Sequence, residues 1–211
     1  GAQAYVSAGG ICDGYNDCSI SMAKRVRAEV KFQPRLCQEK WCWHHPLPQG
    51  NALSGLWGSS ASDLWAVGDA GTALHYDGQN WSLVPATTTK NLNGVFAPGQ
   101  GQAVVVGDGG TILRWNGSAF ASESSGTTNN LNSVWGTASS NVYAVGDVGT
   151  IVRNSGNGWL PMLSSTTNNL YRIHGSGADN IWTVGQSGTV RSFSGSVWNT
   201  VMGPGTMSLA D

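Results

Sequence analysis

Hydrophobic and polar positions alternate with a period of two through most of this chain. Between residues 92 and 130 the short runs are "NGVFA", "QAVVV", "TILRW" and "AFASES", separated by "PGQG", "GDGG" and "NGS". Such alternation predicts half-buried strands, and Gly-rich or Asn-Gly pairs supply the positive φ angles that tight hairpins need. This stretch therefore predicts a four-stranded antiparallel meander with no room for a helix.

The same pattern occurs four times, and each copy begins 39 residues after the last. Its best-defined part begins at Trp65 ("WAVGDAGTALHYDG"), Val104 ("VVVGDGGTILRWNG"), Tyr143 ("YAVGDVGTIVRNSG") and Trp182 ("WTVGQSGTVRSFSG"). A fixed period of this size indicates a repeat architecture. Because one meander cannot bury both of its faces alone, we predict an all-β fold, a β-propeller of four-stranded blades. The predicted blades span about residues 53–91, 92–130, 131–169 and 170–208.

The composition changes near Gly50, where we place the boundary between an N-terminal segment (1–50) and the repeats (51–211). The first fifty residues hold all four cysteines and six Lys or Arg against four Asp or Glu, whereas the remainder holds five against eight. Because "QAYVSAGG" and "RVRAEVKF" alternate as strands do, we predict that this segment forms a degenerate fifth blade. Two alternatives stay open: four blades with a separate N-terminal cap, and a piece of a longer ring.

The cysteines Cys12, Cys18, Cys37 and Cys42 fit disulfides better than a zinc site. Their gaps of five and four residues match structural zinc sites poorly, where each pair is usually two to four residues apart. An even number of cysteines in a weakly charged, Ser- and Asn-rich chain favours two disulfides. Of the three possible connectivities we expect Cys12–Cys18 with Cys37–Cys42, and we expect no metal.

The overall charge argues against several classes of partner. Charged residues make up 11% of the chain and the net charge is −1. There is thus no general attraction to nucleic acid or to an anionic membrane, and no apolar run is long enough to span a bilayer.

The repeat "LNSVWGTASSNVYAVGDVGTIV…W…SSTTNN" resembles repeats of secreted proteins and lipoproteins of myxobacteria, and "WCWHHPLPQGN" resembles the segment that precedes such arrays. The resemblance covers about residues 41–209 and implies an extracellular propeller with no particular activity. More distantly, "VGDxGT" resembles the propellers of photosystem II assembly factors and the Asp-box hairpins of sialidase-like folds. The Asp-box resemblance implies a structural role for Asp69, Asp108 and Asp147, although the fourth copy has Gln186 there.

The repeats contain no constellation that favours catalysis. Asp69, Asp108 and Asp147 are repeat-equivalent turn residues, and an Asp in a turn usually bonds its own backbone. Arg114 and Arg153 share one repeat position with His75, which predicts either a solvated outer face or a ring of cations that holds an anion. We find no phosphate-binding loop and no nucleophile elbow, and we expect no cofactor and no enzymatic activity.

We therefore interpret the chain as a secreted or cell-surface propeller that recognises a ligand. Trp57 and Trp135 share a repeat position that His174 occupies in the fourth copy. Most such Trp residues pack between blades, but a Trp beside "TTNN" and "SSAS" loops would also suit a sugar, which presents hydroxyls and one apolar face. The main hypothesis is lectin-like carbohydrate binding. The alternative is a structural or protein-interaction component of an envelope or extracellular assembly, and a glycoside hydrolase is the least favoured.

Overall fold

The structure is a computed structural model that describes residues 35–38, 41–44 and 50–201. The chain divides into two compact units, Gly1–Leu47 and Pro48–Asp211. In the first unit β1 (Arg35–Gln38) and β2 (Trp41–His44) form an antiparallel hairpin.

The β1–β2 hairpin bears on one of the two predicted disulfides. Its register places Cys37 directly opposite Cys42. Residues that face each other across antiparallel strands have the Cα separation that a disulfide requires. Cys12, Cys18 and the predicted strands between Gln3 and Phe32 lie outside the described residues, so the disulfides and the fifth blade stay predictions.

The second unit contains four four-stranded antiparallel sheets, one for each predicted repeat, and the fold is a β-propeller as expected. The first blade is β3 (Leu53–Ser60), β4 (Asp63–Gly68), β5 (Ala73–Tyr76) and β6 (Trp81–Leu83). The second is β7 (Leu92–Phe96), β8 (Ala103–Gly107), β9 (Thr111–Trp115) and β10 (Phe120–Glu123). The third is β11 (Leu131–Ala138), β12 (Asn141–Gly146), β13 (Ile151–Asn154) and β14 (Trp159–Met162). The fourth is β15 (Leu170–Gly177), β16 (Asn180–Gly185), β17 (Val190–Phe193) and β18 (Trp198–Val201).

The second and third strands of every blade are joined by one turn of 3-10 helix. These turns are Asp69–Gly71, Asp108–Gly110, Asp147–Gly149 and Gln186–Gly188. In the part of the chain that is described, no helix is long and apolar enough to cross a membrane.

A glycine ends the second strand of each blade because the backbone just before the first strand approaches it closely. A Cβ atom on Gly68 would lie 1.9 Å from the carbonyl oxygen of Ala52, and one on Gly146 would lie 1.9 Å from that of Asn130. No side chain fits at such a distance. The close approach explains why glycine recurs there at every step of 39 residues.

The hydrophobic core consists of three clusters, one at each junction between neighbouring blades. At the junction of the first and second blades, Trp65 and Val67 of β4 pack with Leu92 and Val95 of β7 and with Phe120 of β10. The same pairing of faces recurs at the next two junctions. Each blade therefore buries its apolar faces against its neighbours, as the repeat pattern predicted.

The first strand of each blade lies innermost and packs against the first strand of the next blade, in the order β3, β7, β11 and β15. In the described region β15 does not pack against β3 in that way. The rings of Trp57 on β3 and His174 on β15 nevertheless lie 6.4 Å apart between their centroids. The four inner strands thus curve around a common axis.

Candidate functional site

A cavity of about 220 Å³ lies between the inner strands of all four blades, and we call it the axial cavity. Its lining mixes small polar and apolar side chains. The residues that line it are Ser54, Gly55, Leu56, Trp57, Asn93, Gly94, Val95, Asn132, Ser133, Val134, Arg172 and Ile173. Arg172 supplies the only charged group among them, and its Nη1 donates to the carbonyl oxygen of Tyr171 at 3.0 Å.

The structure brings three of the five predicted binding residues together near this axis. Trp57 lies 5.3 Å from Phe96 and 6.4 Å from His174, measured between ring centroids, and Trp135 lies 5.8 Å from His174. These four residues share one repeat position, and we call them the axial aromatic cluster. Aromatic rings at such distances attract each other beyond their simple burial.

The exposure of these rings decides which of them a ligand could reach. Trp135 is 5% exposed and Phe96 is 4% exposed, so both rings are covered by neighbouring blades. Trp57 is half-buried and His174 is exposed. A sugar could not stack on Trp135 unless the junction opened, which leaves Trp57 and His174 as the reachable members of the cluster.

Arg114 lies away from the axial cavity, at the junction of the second and third blades. Its Nε and Nη2 donate to Glu123 at 2.6 and 3.3 Å, and its Nη1 donates to the carbonyl oxygen of Ser139 at 3.2 Å. The same Glu123 carboxylate accepts a bond of 2.7 Å from Nε1 of Trp159. Through these bonds the Arg114 guanidinium links the second blade to the third.

Arg153 occupies the equivalent position of the third blade with different partners. Its Nε and Nη2 donate to Oδ1 of Asn141 at 3.2 and 3.0 Å, and its guanidinium carbon lies 5.1 Å from the centre of the Tyr143 ring. Burial raises the pKa of the Tyr143 hydroxyl, and the nearby Arg153 opposes that rise. Neither arginine lines the axial cavity, so a ring of cations around the axis does not form.

His75 occupies the same repeat position in the first blade, and its side chain also contacts other side chains of the protein. Its Nε2 lies 2.6 Å from Oδ1 of Asp63, whose second carboxylate oxygen accepts from the Ser59 hydroxyl. The imidazole stacks on Trp65 at 4.3 Å between centroids. In this group the carboxylate lies between the serine and the histidine, so the imidazole is not placed to activate the serine hydroxyl.

The turn aspartates hold the 3-10 turns and the strands beside them. The backbone carbonyl of each accepts from the N–H of the threonine that follows the turn, as Thr72 does with Asp69 at 3.0 Å. The carboxylate of Asp108 accepts from Asn93 at 3.0 Å, and that of Asp147 accepts from Asn132 at the same distance. Asp77 occupies a separate hairpin, where the backbone N–H groups of Asn80 and Gln79 lower the pKa of its carboxyl.

Asparagine amides connect one blade to the next, and the sequence pattern did not reveal this role. In the second, third and fourth blades, the residue before the inner strand accepts a hydrogen bond from the turn of the preceding blade. The three bonds are Ala70 N–H to Asn91 Oδ1 (3.1 Å), Gly109 N–H to Asn130 Oδ1 (2.9 Å) and Val148 N–H to Asn169 Oδ1 (3.0 Å). The signal for this role in the sequence is the recurrence of Asn at these positions, in the same "TTNN" loops that would also suit a carbohydrate.

A second set of amides ties the inner strands together. Asn93 Nδ2 donates to the carbonyl oxygen of Leu131, and Asn132 Nδ2 donates to that of Leu170, both at 3.0 Å. Because each of these amides also donates to a turn aspartate, it fixes two blades and one turn at once. Among the described residues, no group of three or more His, Cys, Asp and Glu side chains is placed to hold a metal ion.

Comparison with known proteins supports the fold. No protein-family model and no curated protein matches the sequence. The structure of YCF48 bound to D1 peptide matches with a TM-score of 0.61 at 15% identity, over 79% of this chain and 58% of that chain. YCF48 from Cyanidioschyzon merolae matches with a TM-score of 0.57 at 18% identity, over 74% of this chain and 57% of that chain. This chain is thus similar in fold to both and spans little more than half of their length, which agrees with the predicted distant likeness to photosystem II assembly factors.

Proposed function

We propose that this chain is a non-catalytic module that binds a segment of a partner protein at the axial cavity. The observation that carries the proposal is the size and lining of that cavity. At about 220 Å³ it is smaller than the roughly 300–1,000 Å³ typical of pockets that enclose a small-molecule ligand. It suits one or two side chains that project from a larger partner.

The chemistry of the lining supports the same proposal. Ser54 and Ser133 offer hydroxyls, and the exposed Leu56 and the half-buried Trp57 offer apolar contact. Such a surface provides hydrogen bonds for the backbone of an extended peptide and shallow apolar contacts for its side chains. The structural neighbour with a bound D1 peptide gives a precedent for peptide recognition by this fold.

The absence of catalysis is part of the proposal. The carboxylates of Asp63, Asp108, Glu123 and Asp147 are all engaged in hydrogen bonds that hold turns or blades. A glycosidase needs a pair of carboxyl groups that flank the scissile bond, whereas these four carboxylates are each held by another side chain and none of them lines the axial cavity. A secreted or cell-surface location stays a prediction from the sequence.

A peptide-selection experiment tests the proposal. A random short-peptide phage library is panned against the immobilised chain, and a selected peptide is then titrated by fluorescence polarisation. Ser54→Trp fills the cavity from an exposed position, and we expect it to weaken binding by about tenfold or more. Ser196→Trp adds the same side chain at an exposed hairpin tip and should leave binding unchanged.

A glycan array probed in parallel distinguishes carbohydrate binding from the proposed binding of a protein partner. Glycan binding that is lost in Trp57→Ala, together with failure to select any peptide, would replace the proposed protein partner by a carbohydrate. Peptide binding that Ser54→Trp and Ser196→Trp weaken equally would place the contact outside the axial cavity and overturn the proposal.

A further inference from the structure

The fourth blade has a buried arginine where the other three blades have an aliphatic side chain. Arg191 lies on β17 and is 8% exposed. Its repeat equivalents are Leu74, Leu113 and Val152, which are 3%, 1% and 2% exposed. A guanidinium therefore occupies a position that belongs to the hydrophobic core elsewhere in the array.

The polar character extends to the neighbours of Arg191 on the same face of the blade. Ile173, Thr183, Arg191 and Thr200 stand opposite one another in successive strands and form one row across the blade. Ile173 belongs to the core cluster at the junction of the third and fourth blades, so the row faces the third blade. The residues equivalent to Thr183 are all apolar, namely Ala66, Val105 and Ala144.

The hydrogen bonds of Arg191 leave part of its guanidinium unused. Its Nε donates to the carbonyl oxygen of Ser164 at 3.0 Å, its Nη2 to that of Ser165 at 3.2 Å, and its Nη1 to that of Val190 at 3.1 Å. A guanidinium has five N–H donors, so one N–H remains on each terminal nitrogen. Two such N–H groups match the two oxygens of a carboxylate or phosphate.

The positive charge of Arg191 also has no opposite charge beside it. The ion pairs found among the described residues join His75 to Asp63 and Arg114 to Glu123. The three carbonyl groups that bind Arg191 are dipoles without net charge. Because a buried charge is costly unless it is paired, an aliphatic side chain at this position would avoid that cost. A local departure of this kind from a repeat is typical of functional sites.

The turn that binds Arg191 is strained at one residue. Ser165 has φ of +56°, whereas the equivalent residue of the preceding blade is Gly126, with φ of +72°. Glycine adopts such a φ freely, and strained backbone is concentrated at binding sites. The strain and the unpaired charge thus occur at the same place.

We propose that Arg191 binds a small oxyanion, a phosphate or a carboxylate, at the junction of the third and fourth blades. The anion enters from the outer edge of the junction, where Thr200 on β18 and Ser165 just beyond β14 are exposed. The two remaining N–H groups of Arg191 bind two of its oxygens, and the Thr200 hydroxyl supplies a further donor. Arg191 does not line the axial cavity, so this site is separate from the proposed peptide site.

Thermal unfolding with inorganic phosphate and with acetate as probes tests the site. Each anion replaces chloride at constant pH and ionic strength, and unfolding is followed by circular dichroism. Phosphate also stabilises proteins in general by exclusion from their surface, so Arg191→Leu provides the baseline. We expect wild type to gain about 3 °C more than this variant when the oxyanion reaches ten times its dissociation constant.

Two further variants locate the contact. Arg153→Leu removes the arginine at another position of the repeat that has no carboxylate partner, and it should keep the full gain. Arg191→Lys keeps the charge but lacks the planar fork, and we expect it to weaken binding about tenfold. Equal loss of the gain in Arg153→Leu and Arg191→Leu would show general attraction to positive charge and would overturn the proposal.

The baseline variant also distinguishes binding from a purely structural role. If Arg191 served only to hold Ser164 and Ser165, Arg191→Leu would lower the melting temperature in chloride and would gain as much from each oxyanion as wild type does. Equal gains in phosphate and in acetate overturn the proposal, whatever the stability of the variant. A larger gain of wild type in one of the two anions supports it and identifies which oxyanion the site prefers. The phosphorus-31 resonance of phosphate, recorded well below the melting temperature, should broaden with wild type and not with Arg191→Leu.

Discussion

At the scale of single residues, Glu123 shows how one side chain can complete a junction that its repeat equivalent leaves incomplete. Its carboxylate bonds both Arg114 and Nε1 of Trp159. One repeat later, Arg153 and Trp198 stand at the same positions, but Met162 replaces the carboxylate. The indole Nε1 of Trp198 is consequently buried without a hydrogen-bond partner.

The substitution Met162→Glu should therefore stabilise the protein. The new carboxylate would accept from Trp198 and pair with Arg153, and a satisfied buried donor contributes about 1 kcal/mol. Met162 is only partly buried, so the loss of its packing is the smaller effect. We expect the free energy of unfolding to rise by about 1 kcal/mol, measured by urea denaturation and tryptophan fluorescence.

The matched control is the reverse change, Glu123→Met, at the preceding junction. It leaves Trp159 Nε1 unpaired and Arg114 without its carboxylate, and it should lower the free energy of unfolding by about 1–3 kcal/mol. If Met162→Glu lowered the stability as well, the two junctions would not be equivalent and the argument from repeat position would fail.

At the scale of elements, the 3-10 turns place their second residue in the left-handed region of φ. That residue is Ala70, Gly109, Val148 or Ser187, with φ between +53° and +60°. Glycine adopts such a φ without strain, whereas a β-branched side chain does not. Val148 is also 58% exposed, so its side chain contributes little to packing.

The substitution Val148→Gly should raise the free energy of unfolding by roughly 1 kcal/mol, because it removes backbone strain that the second blade avoids with Gly109. Thermal unfolding followed by circular dichroism measures the change. Val197→Gly is the control at another exposed valine that lacks a positive φ, and it should have no stabilising effect. A lower melting temperature for Val148→Gly would show that the turn is not strained.

The sequence predicted the elements well and the roles of the polar residues less well. The period of two and the step of 39 residues define the strands, because both depend only on which side chains must be buried. Arg114 and Arg153 share a repeat position, yet one bonds Glu123 and the other bonds Asn141. Such partners lie on neighbouring strands or loops, and local alternation does not show which side chains meet there.

The sequence pattern also does not predict the axial cavity. Trp57, Trp135 and His174 were predicted as one equivalent site, and the structure does bring them together. The sequence repeat does not predict how deeply each of these side chains is buried, because exposure depends on the curvature of the array and not on the 39-residue period. The structure therefore distinguishes the covered Trp135 from the reachable His174.

At the scale of the whole molecule, each blade buries most of its apolar surface against its immediate neighbours, so stability is distributed unevenly along the array. The second strands β4, β8 and β12 are buried on both faces, whereas β16 exposes Trp182. Amide hydrogen exchange should therefore be slowest in β4, β8 and β12 and faster in β16. Equal protection in all four strands, measured by mass spectrometry, would indicate a single cooperative unit.

The constant pairing of blade faces also has a consequence for how such a molecule grows. A duplicate of residues 92–130, spliced after residue 130, would meet on either side the same kind of blade face that meets it at the existing junctions. Gene duplication could thus lengthen the array one blade at a time through variants of an existing interface, and each insertion would change the width of the axial cavity.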